Sequence, residues 1–186
     1  MKKYMCIFFL FLSSTLFAQE RYFSKTAQIS FDADGSLDDI EEIKAKNSKA
    51  TCVYDATTGQ FEWSVTIKDF VFANSLMQEH FNENYMESEK YPKASFKGKV
   101  QNFSQVQLQK NGTYKSTITG KLTIHNVTKD VSVSATFVVN GQKINGKAEF
   151  ETILEDYNIE RPSIVGMKIA EKVKIMIDVT LEPLKK

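Results

Sequence analysis

The chain has 186 residues, a formal net charge of +1 and two cysteines, and 25% of its residues are charged. This balanced charge argues against a polyanion-binding surface, so nucleic acid is not an expected partner. Cys6 lies in the first apolar run, which leaves Cys52 without a second cysteine for an intrachain disulfide. We therefore expect the fold to depend on its hydrophobic core, with Cys52 as a small buried apolar residue.

The N-terminal segment has the features of a secretory signal peptide. Lys2 and Lys3 precede an apolar run over residues 5–12, and the small residue Ala18 offers a cleavage site. The run is shorter than the roughly 20 apolar residues that a transmembrane helix needs. We expect residues 1–18 to be removed, leaving residues 19–186 as a single exported domain with no integral membrane span.

Most of the remaining chain alternates apolar and polar residues with a period of two, which predicts β-strands. The clearest strand is Phe61–Lys68, in which the odd-numbered residues are apolar and the even-numbered ones polar. Similar patterns predict a first strand that contains Ile29 and Phe31, an irregular strand over about 38–53 and a strand that begins at Ala94. Four further strands are predicted over 114–124, 131–137, 144–150 and 173–181. We predict eight strands in total, each with one apolar face.

A short amphipathic helix is predicted between the third and fourth strands. Ser75 and Gln78 have the spacing of a capping box at a helix start. Met77, Phe81 and Tyr85 follow at intervals of four residues, so they share one face of a helix. A single helix with one apolar stripe, inserted among strands, is best placed across one mouth of a barrel.

The turns between the later strands favour an antiparallel arrangement. Asn111–Gly112 and Asn140–Gly141 predict tight hairpins, because Asn and Gly tolerate the positive φ of such turns, and Asn126–Lys129 reads as a looser turn. Strands with one apolar face must turn that face inward, as a sandwich or as a closed barrel. Closure also removes the exposed edges of long apolar strands.

Three segments resemble the signatures of a known family. Leu76–Phe81 with Lys90–Phe96, then Gly120–Lys129, then Phe150–Ile159, are similar in this order to motifs of the YceI-like proteins. The resemblance implies an all-β, eight-stranded antiparallel lipocalin-like barrel in the periplasm. In some members the barrel encloses a long isoprenoid lipid, such as a polyprenyl or quinone tail. Met77–Gln78 stands where the family usually has an Arg-Asp pair.

The inward face of the barrel is the candidate binding site. Small residues such as Gly120 and Gly146 lie among large apolar ones, and they either leave room for a tunnel or bend the strands at barrel corners. A tunnel would take one isoprenoid or similar lipid, and no other cofactor is expected. The predicted cavity-lining residues are Phe31, Trp63, Val65, Ile67, Met77, Phe81, Phe96, Gly98, Ile118, Gly120, Leu122, Phe137, Ile144, Gly146, Phe150 and Ile175.

The apolar segment Leu154–Ala170 is predicted to close the mouth beside the helix or the mouth opposite to it. We find no catalytic motif. His80 and Glu83 are spaced as an i, i+3 pair, whereas a zinc site normally needs three or four ligands. His125, at the entry of a turn, is expected to bond to the turn backbone.

We therefore predict a lipid-binding protein that is not an enzyme and that carries or sequesters an isoprenoid-like molecule. Two alternatives stay open from the sequence. One is a protein-interaction or inhibitory module with a fully packed barrel. The other is an enzyme that uses the cavity as a substrate pocket. The oligomeric state is also open.

Overall fold

The computed structural model describes residues 21–35, 42–108, 110–161 and 169–184, so the predicted signal peptide lies outside the described residues. The strands are β1 (Arg21–Asp34), β2 (Lys44–Asp55), β3 (Gln60–Thr66), β4 (Val71–Phe72), β5 (Lys93–Val100), β6 (Gly112–Ile124), β7 (Val127–Asn140), β8 (Lys143–Ile153) and β9 (Ile169–Pro183). Helix α1 spans Ser75–His80 and continues into a π-helical turn over Phe81–Tyr85. Among the helices of the described residues, none has the length and apolar character needed to cross a bilayer.

Eight of the strands close into an antiparallel barrel. The order around the barrel is β1-β9-β8-β7-β6-β5-β3-β2, and β2 pairs back with β1. The two-residue strand β4 pairs with β2 beside the barrel. The predicted eight-stranded antiparallel barrel is confirmed, and it is a closed barrel rather than a sandwich.

The first two strands begin at different residues from those predicted. β1 begins at Arg21, well before Ile29, and β2 begins at Lys44 rather than near residue 38. In the early part of β1 the polar residue Ser24 is buried, and the pairing with β2 shifts register between Ser24 and Ala27, so simple alternation does not mark this part of the strand.

Helix α1 begins differently from the predicted capping box. Asn74 is the N-cap, and its side-chain oxygen accepts hydrogen bonds from the backbone N–H groups of Leu76 and Met77, at 2.8 and 3.2 Å. The Gln78 side chain instead accepts a hydrogen bond from the backbone N–H of Phe72, at 3.3 Å. Gln78 therefore joins the helix to β4 rather than closing a capping box.

Two of the predicted turns are also placed differently. The β6–β7 hairpin turns at His125 and Asn126, whose φ angles of 48° and 61° are both left-handed, so it is a tight two-residue turn rather than a looser one at residues 126–129. Asn111 does not form a hairpin, because Gly112 already begins β6. Its side chain instead accepts a hydrogen bond from the N–H of Gly141 in the β7–β8 turn, at 2.8 Å. The β7–β8 hairpin itself lies as predicted.

Candidate functional site

The barrel has two ends, which are filled differently. The hairpin end carries the β2–β3 turn, the β7–β8 turn and the connection from β5 to β6. The helix end carries α1, the β6–β7 turn and the segment 154–161 that follows β8.

The hairpin end is packed with large side chains. The ring of Phe61 stacks on Tyr54 at a centroid distance of 4.3 Å and on Phe137 at 5.9 Å. Ile144 and Leu181 pair across β8 and β9, and both are fully buried. These side chains are mainly aromatic and aliphatic and are closely packed, so this end forms a hydrophobic core.

A cavity of about 470 Å³ fills the interior from Phe61 and Phe137 toward the helix end. This volume is within the range of about 300–1,000 Å³ that is typical of ligand-binding pockets. Several inward positions in its wall carry only small side chains: Ala33, Ala94, Ala135, Gly146 and Ala148. The cavity reaches the surface beside Leu76 of α1, whose side chain is 57% exposed.

An aromatic cluster holds the helical segment over the cavity. Phe81 stacks on Phe31 at a centroid distance of 5.4 Å and contacts Phe72 at 5.1 Å and Phe70 at 5.7 Å. Phe31 also contacts Phe70 and Phe72. Aromatic pairs at these distances add to the free energy of apolar burial, so the helix is fixed to β1 and β4 mainly through Phe81.

The wall of the cavity is almost free of charge. Among the described residues, none of those that line it is an aspartate or a glutamate. Lys147 contributes to the wall, but its ammonium group pairs with Asp178 at 3.1 Å, and its side chain is largely exposed. Burial raises the pKa of the Tyr85 hydroxyl and of the Tyr157 hydroxyl, and for Tyr157 it outweighs a hydrogen bond with Thr152 that lowers the pKa. Both phenols are therefore neutral at ordinary pH.

The structure brings most of the predicted cavity residues together. Those that line the cavity are Phe31, Trp63, Val65, Ile67, Met77, Phe81, Phe96, Ile118, Leu122, Phe137, Gly146, Phe150 and Ile175. Their position in the wall is a structural fact, whereas their contact with a ligand stays a prediction.

Gly98 and Gly120 do not line the cavity, contrary to the prediction. They pair directly across β5 and β6, and the ring of Phe96 lies over both of them. A Cβ atom at Gly98 would be 2.3 Å from Cζ of Phe96, and one at Gly120 would be 2.4 Å from Cα of Gly98. The two glycines therefore make room for the Phe96 ring and for close approach of the strands, not for a ligand.

Ile144 was also predicted in the cavity wall, and it lies outside it. Ile144 points inward from β8 but belongs to the packed hairpin end, between Val139 and Leu181. The alternation along β8 predicts which face is inside. It does not predict how far along the barrel the cavity extends.

Sequence reasoning missed part of the wall. Phe70 and Phe72 line the cavity, although they lie outside every predicted strand. The available signal was that Phe70 and Phe72 are two residues apart, although Phe70 follows Ile67 by three residues. Val131 and Val133 of β7 also line the cavity, and the alternation of this strand was recognised without including them in the site.

The predicted mouth segment is described only in part. Leu154, Tyr157 and Ile159 line the cavity, and Tyr157 and Ile159 are buried. Residues 162–168 lie outside the described residues, so the part of the prediction that concerns Ile164, Val165 and Met167 is not tested. Cys52 is fully buried and outside the cavity wall, and burial raises the pKa of its thiol.

Comparison with solved structures places this barrel among known folds. A polyisoprenoid-binding domain from Saccharophagus degradans, implicated in plant cell wall breakdown, superposes with a TM-score of 0.76 at 11% identity, covering 90% of this chain and 100% of that one. BcnA from Burkholderia cenocepacia superposes with a TM-score of 0.66 at 16% identity, covering 83% and 95%. The YceI protein of Campylobacter jejuni gives 0.63 at 17% identity, covering 81% and 90%. At these identities the similarity shows a shared fold.

Sequence comparison identifies the family. No curated protein matches the chain significantly. The family model of the YceI-like domain matches residues 13–181, which is nearly the whole chain. This match confirms the family that the three sequence motifs indicated, and the chain is a member of the YceI-like family.

Proposed function

We propose that this protein binds one isoprenoid-like lipid, with a polyprenyl or quinone tail, and carries or sequesters it. The observation that carries the proposal is the apolar cavity of about 470 Å³, which has an almost uncharged wall and reaches the surface at the helix end. Burying a hydrocarbon in such a space is worth roughly 0.8 kcal/mol for each methylene removed from water. The similar Saccharophagus degradans domain, described as polyisoprenoid-binding, supports the same class of ligand.

The same cavity weighs against the two alternatives. An interaction module with a fully packed barrel needs no internal space of this size. An enzyme needs polar groups that converge on a reacting atom, and the described part of the wall is built mainly from aliphatic and aromatic side chains. We therefore propose a binding role without catalysis. We also propose that the protein acts in the periplasm, because residues 1–18 have the sequence features of a signal peptide.

Filling the cavity tests the proposal. Ala148 lies in the wall, opposite Ala135 on β7 and Ile177 on β9. Ala148→Phe is expected to leave the fold intact and to weaken binding of decaprenol by more than about tenfold, because the new ring occupies the space of several methylenes. Val138→Phe is the matched control, since Val138 is 40% exposed on the neighbouring strand.

Decaprenol binding is measured by titration of delipidated protein, with circular dichroism as the check on folding. Equal affinity of the folded Ala148→Phe variant and the parent would contradict binding in this cavity. Failure of the parent to bind decaprenol or menaquinone would contradict the proposed function itself.

A further inference from the structure

His125 occupies an unusual backbone position for its residue type. With Asn126 it forms the two-residue β6–β7 turn, in which both residues have positive φ. Such positions are usually taken by Gly, Asn or Asp. The side chain of His125 is only 9% exposed, so the imidazole is directed into the protein rather than into solvent.

The imidazole connects three segments at the helix end. Its Nε2 atom is 2.9 Å from a carboxylate oxygen of Glu87, just after the helical segment. Its Nδ1 atom is 3.2 Å from the backbone carbonyl oxygen of Tyr157. The ring of Tyr91 contacts the imidazole edge-on at a centroid distance of 4.4 Å. The expected bond from His125 to the turn backbone is therefore replaced by contacts with distant segments.

Both partners of the imidazole are hydrogen-bond acceptors. A backbone carbonyl accepts only, and so does an ionised carboxylate. A neutral imidazole has one N–H group, whereas the imidazolium has two. Only protonated His125 can donate to Glu87 and Tyr157 at the same time. Loss of the proton leaves one ring nitrogen with its lone pair facing an oxygen.

The two hydrogen-bonded segments both contribute to the cavity wall. Tyr85 and Met86, immediately before Glu87, line the cavity, and so do Tyr157 and Ile159. His125 therefore joins two sides of the mouth through a single ionisable ring.

Each segment that contacts the His125 imidazole carries charged groups near it. Lys90 is 3.6 Å from the Glu87 carboxylate and lies over the Tyr91 ring. On the other side, Asp156 precedes Tyr157 and pairs with Lys129 of β7 at 3.4 Å. Of these groups, Glu87 directly contacts the imidazole.

We propose that His125 is a proton-dependent clasp of the cavity mouth. In the protonated state it holds the segment 154–159 against the end of the helical segment, and deprotonation releases one of the two contacts. The segment 154–159 then opens more often, and a bound lipid exchanges faster once the imidazole has lost its proton. The effect on lipid exchange rests on the proposed function, whereas the effect on the segment does not.

The first test needs no ligand. Amide hydrogen exchange of residues 154–161 is measured on lipid-free protein between about pH 5 and about pH 8, with correction for intrinsic exchange. Protection in the parent is expected to fall by roughly fivefold over this range, which is the effect of losing one hydrogen bond. His125→Asn suits the turn backbone and should give low protection at every pH. Glu87→Gln should weaken the pH dependence.

The matched control is Glu149→Gln, which removes a carboxylate that pairs with Lys174 at 2.9 Å on β8 and β9. This variant is expected to keep the pH dependence of the parent. The clasp is overturned if the parent shows no pH dependence, or if His125→Asn shows the same dependence as the parent.

The second test measures transfer of decaprenol from loaded protein to phosphatidylcholine vesicles. Transfer from the parent should be slower at low pH, and transfer from His125→Asn should be fast and independent of pH. If the protection of residues 154–161 depends on pH but the protein never binds decaprenol, the result would support the clasp and contradict the proposed function. Decaprenol binding with a pH-independent transfer rate would contradict the role of the clasp in lipid exchange.

Discussion

The hairpin end and the helix end of the barrel are built from the same alternating strands, yet one is a packed core and the other surrounds a cavity. At the hairpin end, Phe61, Phe137, Ile144 and Leu181 fill the space between the strands. Toward the helix end, alanines and one glycine replace large side chains at inward positions. Alternation decides which residues face inward, and side-chain volume decides whether the inside is solid or hollow.

The largest expected effect is found by comparing alanine substitutions of two inward-facing leucines, one at the packed hairpin end and one in the cavity wall. Leu181 of β9 is completely buried at the hairpin end, whereas Leu122 of β6 lines the cavity. Leu181→Ala should lower the free energy of unfolding by about 2–5 kcal/mol, because it removes contacts on all sides and leaves a void. Leu122→Ala should cost no more than about 2 kcal/mol, because part of this side chain already faces empty space.

Chemical denaturation of the lipid-free proteins measures this difference, with the slope checked for two-state behaviour. Equal losses for the two variants would contradict the contrast between a packed and a hollow end. Saturation with decaprenol should increase the loss for Leu122→Ala and leave that for Leu181→Ala nearly unchanged.

A second comparison concerns two glycines on inward-facing positions. A Cβ atom at Gly120 would be 2.4 Å from both Cα of Gly98 and the carbonyl oxygen of Lys97, so backbone would have to move. A Cβ atom at Gly146 would be 3.1 Å from Cγ1 of Val179 and 3.7 Å from the ring of Phe137, so it would contact side chains and not backbone. Gly120→Ala should lower the free energy of unfolding by about 1–3 kcal/mol, and Gly146→Ala should change it by less than about 1 kcal/mol.

Thermal unfolding of the two alanine variants is sufficient to rank them. If Gly146→Ala were the more destabilising of the two, the assignment of Gly120 to a close strand contact and of Gly146 to the cavity wall would be wrong.

The smallest expected effect concerns Cys52, which is buried away from the cavity. Burial raises the pKa of its thiol, so the folded protein keeps this proton at a pH where the unfolded chain releases it. The contribution to stability is therefore fully present below the thiol pKa of the unfolded chain and is lost as pH rises above about 8.5. Cys52→Ala should abolish this part of the alkaline loss of stability.

The contribution of Cys52 to the alkaline loss of stability is measured by chemical denaturation at neutral and alkaline pH. It is the difference between the losses of the parent and of Cys52→Ala. The thiol should also react with alkylating reagents only at the rate of unfolding, with or without decaprenol. Faster alkylation in the lipid-free protein would mean that the cavity exposes Cys52.

The closed barrel and most of its inner face could be predicted from the sequence, because period-two alternation is a local property of each strand. Trp63 and Phe150 could be assigned to the interior for this reason. Gly98 and Gly120 could not be assigned correctly, since the ring that covers them depends on the rotamer of Phe96. Phe70 and Phe72 were missed because Phe70 lies outside any strand and β4 has only two residues, too few for a pattern.

The structure of the mouth was the least predictable part. Asn74 rather than Ser75 caps α1, because any of several polar residues near a helix start can act as the cap. His125 contacts residues more than 30 positions away in the sequence, and no local pattern indicates such partners. Tertiary packing sets these contacts.

The central claim is that the hollow end holds a lipid. The most direct test is mass spectrometry of an organic-solvent extract of the protein, purified without detergent from its native cells. The account predicts a polyprenyl or quinone species in roughly stoichiometric amount, lost in the Ala148→Phe variant and retained in Val138→Phe. A parent protein that is folded and yields no such lipid would contradict the account.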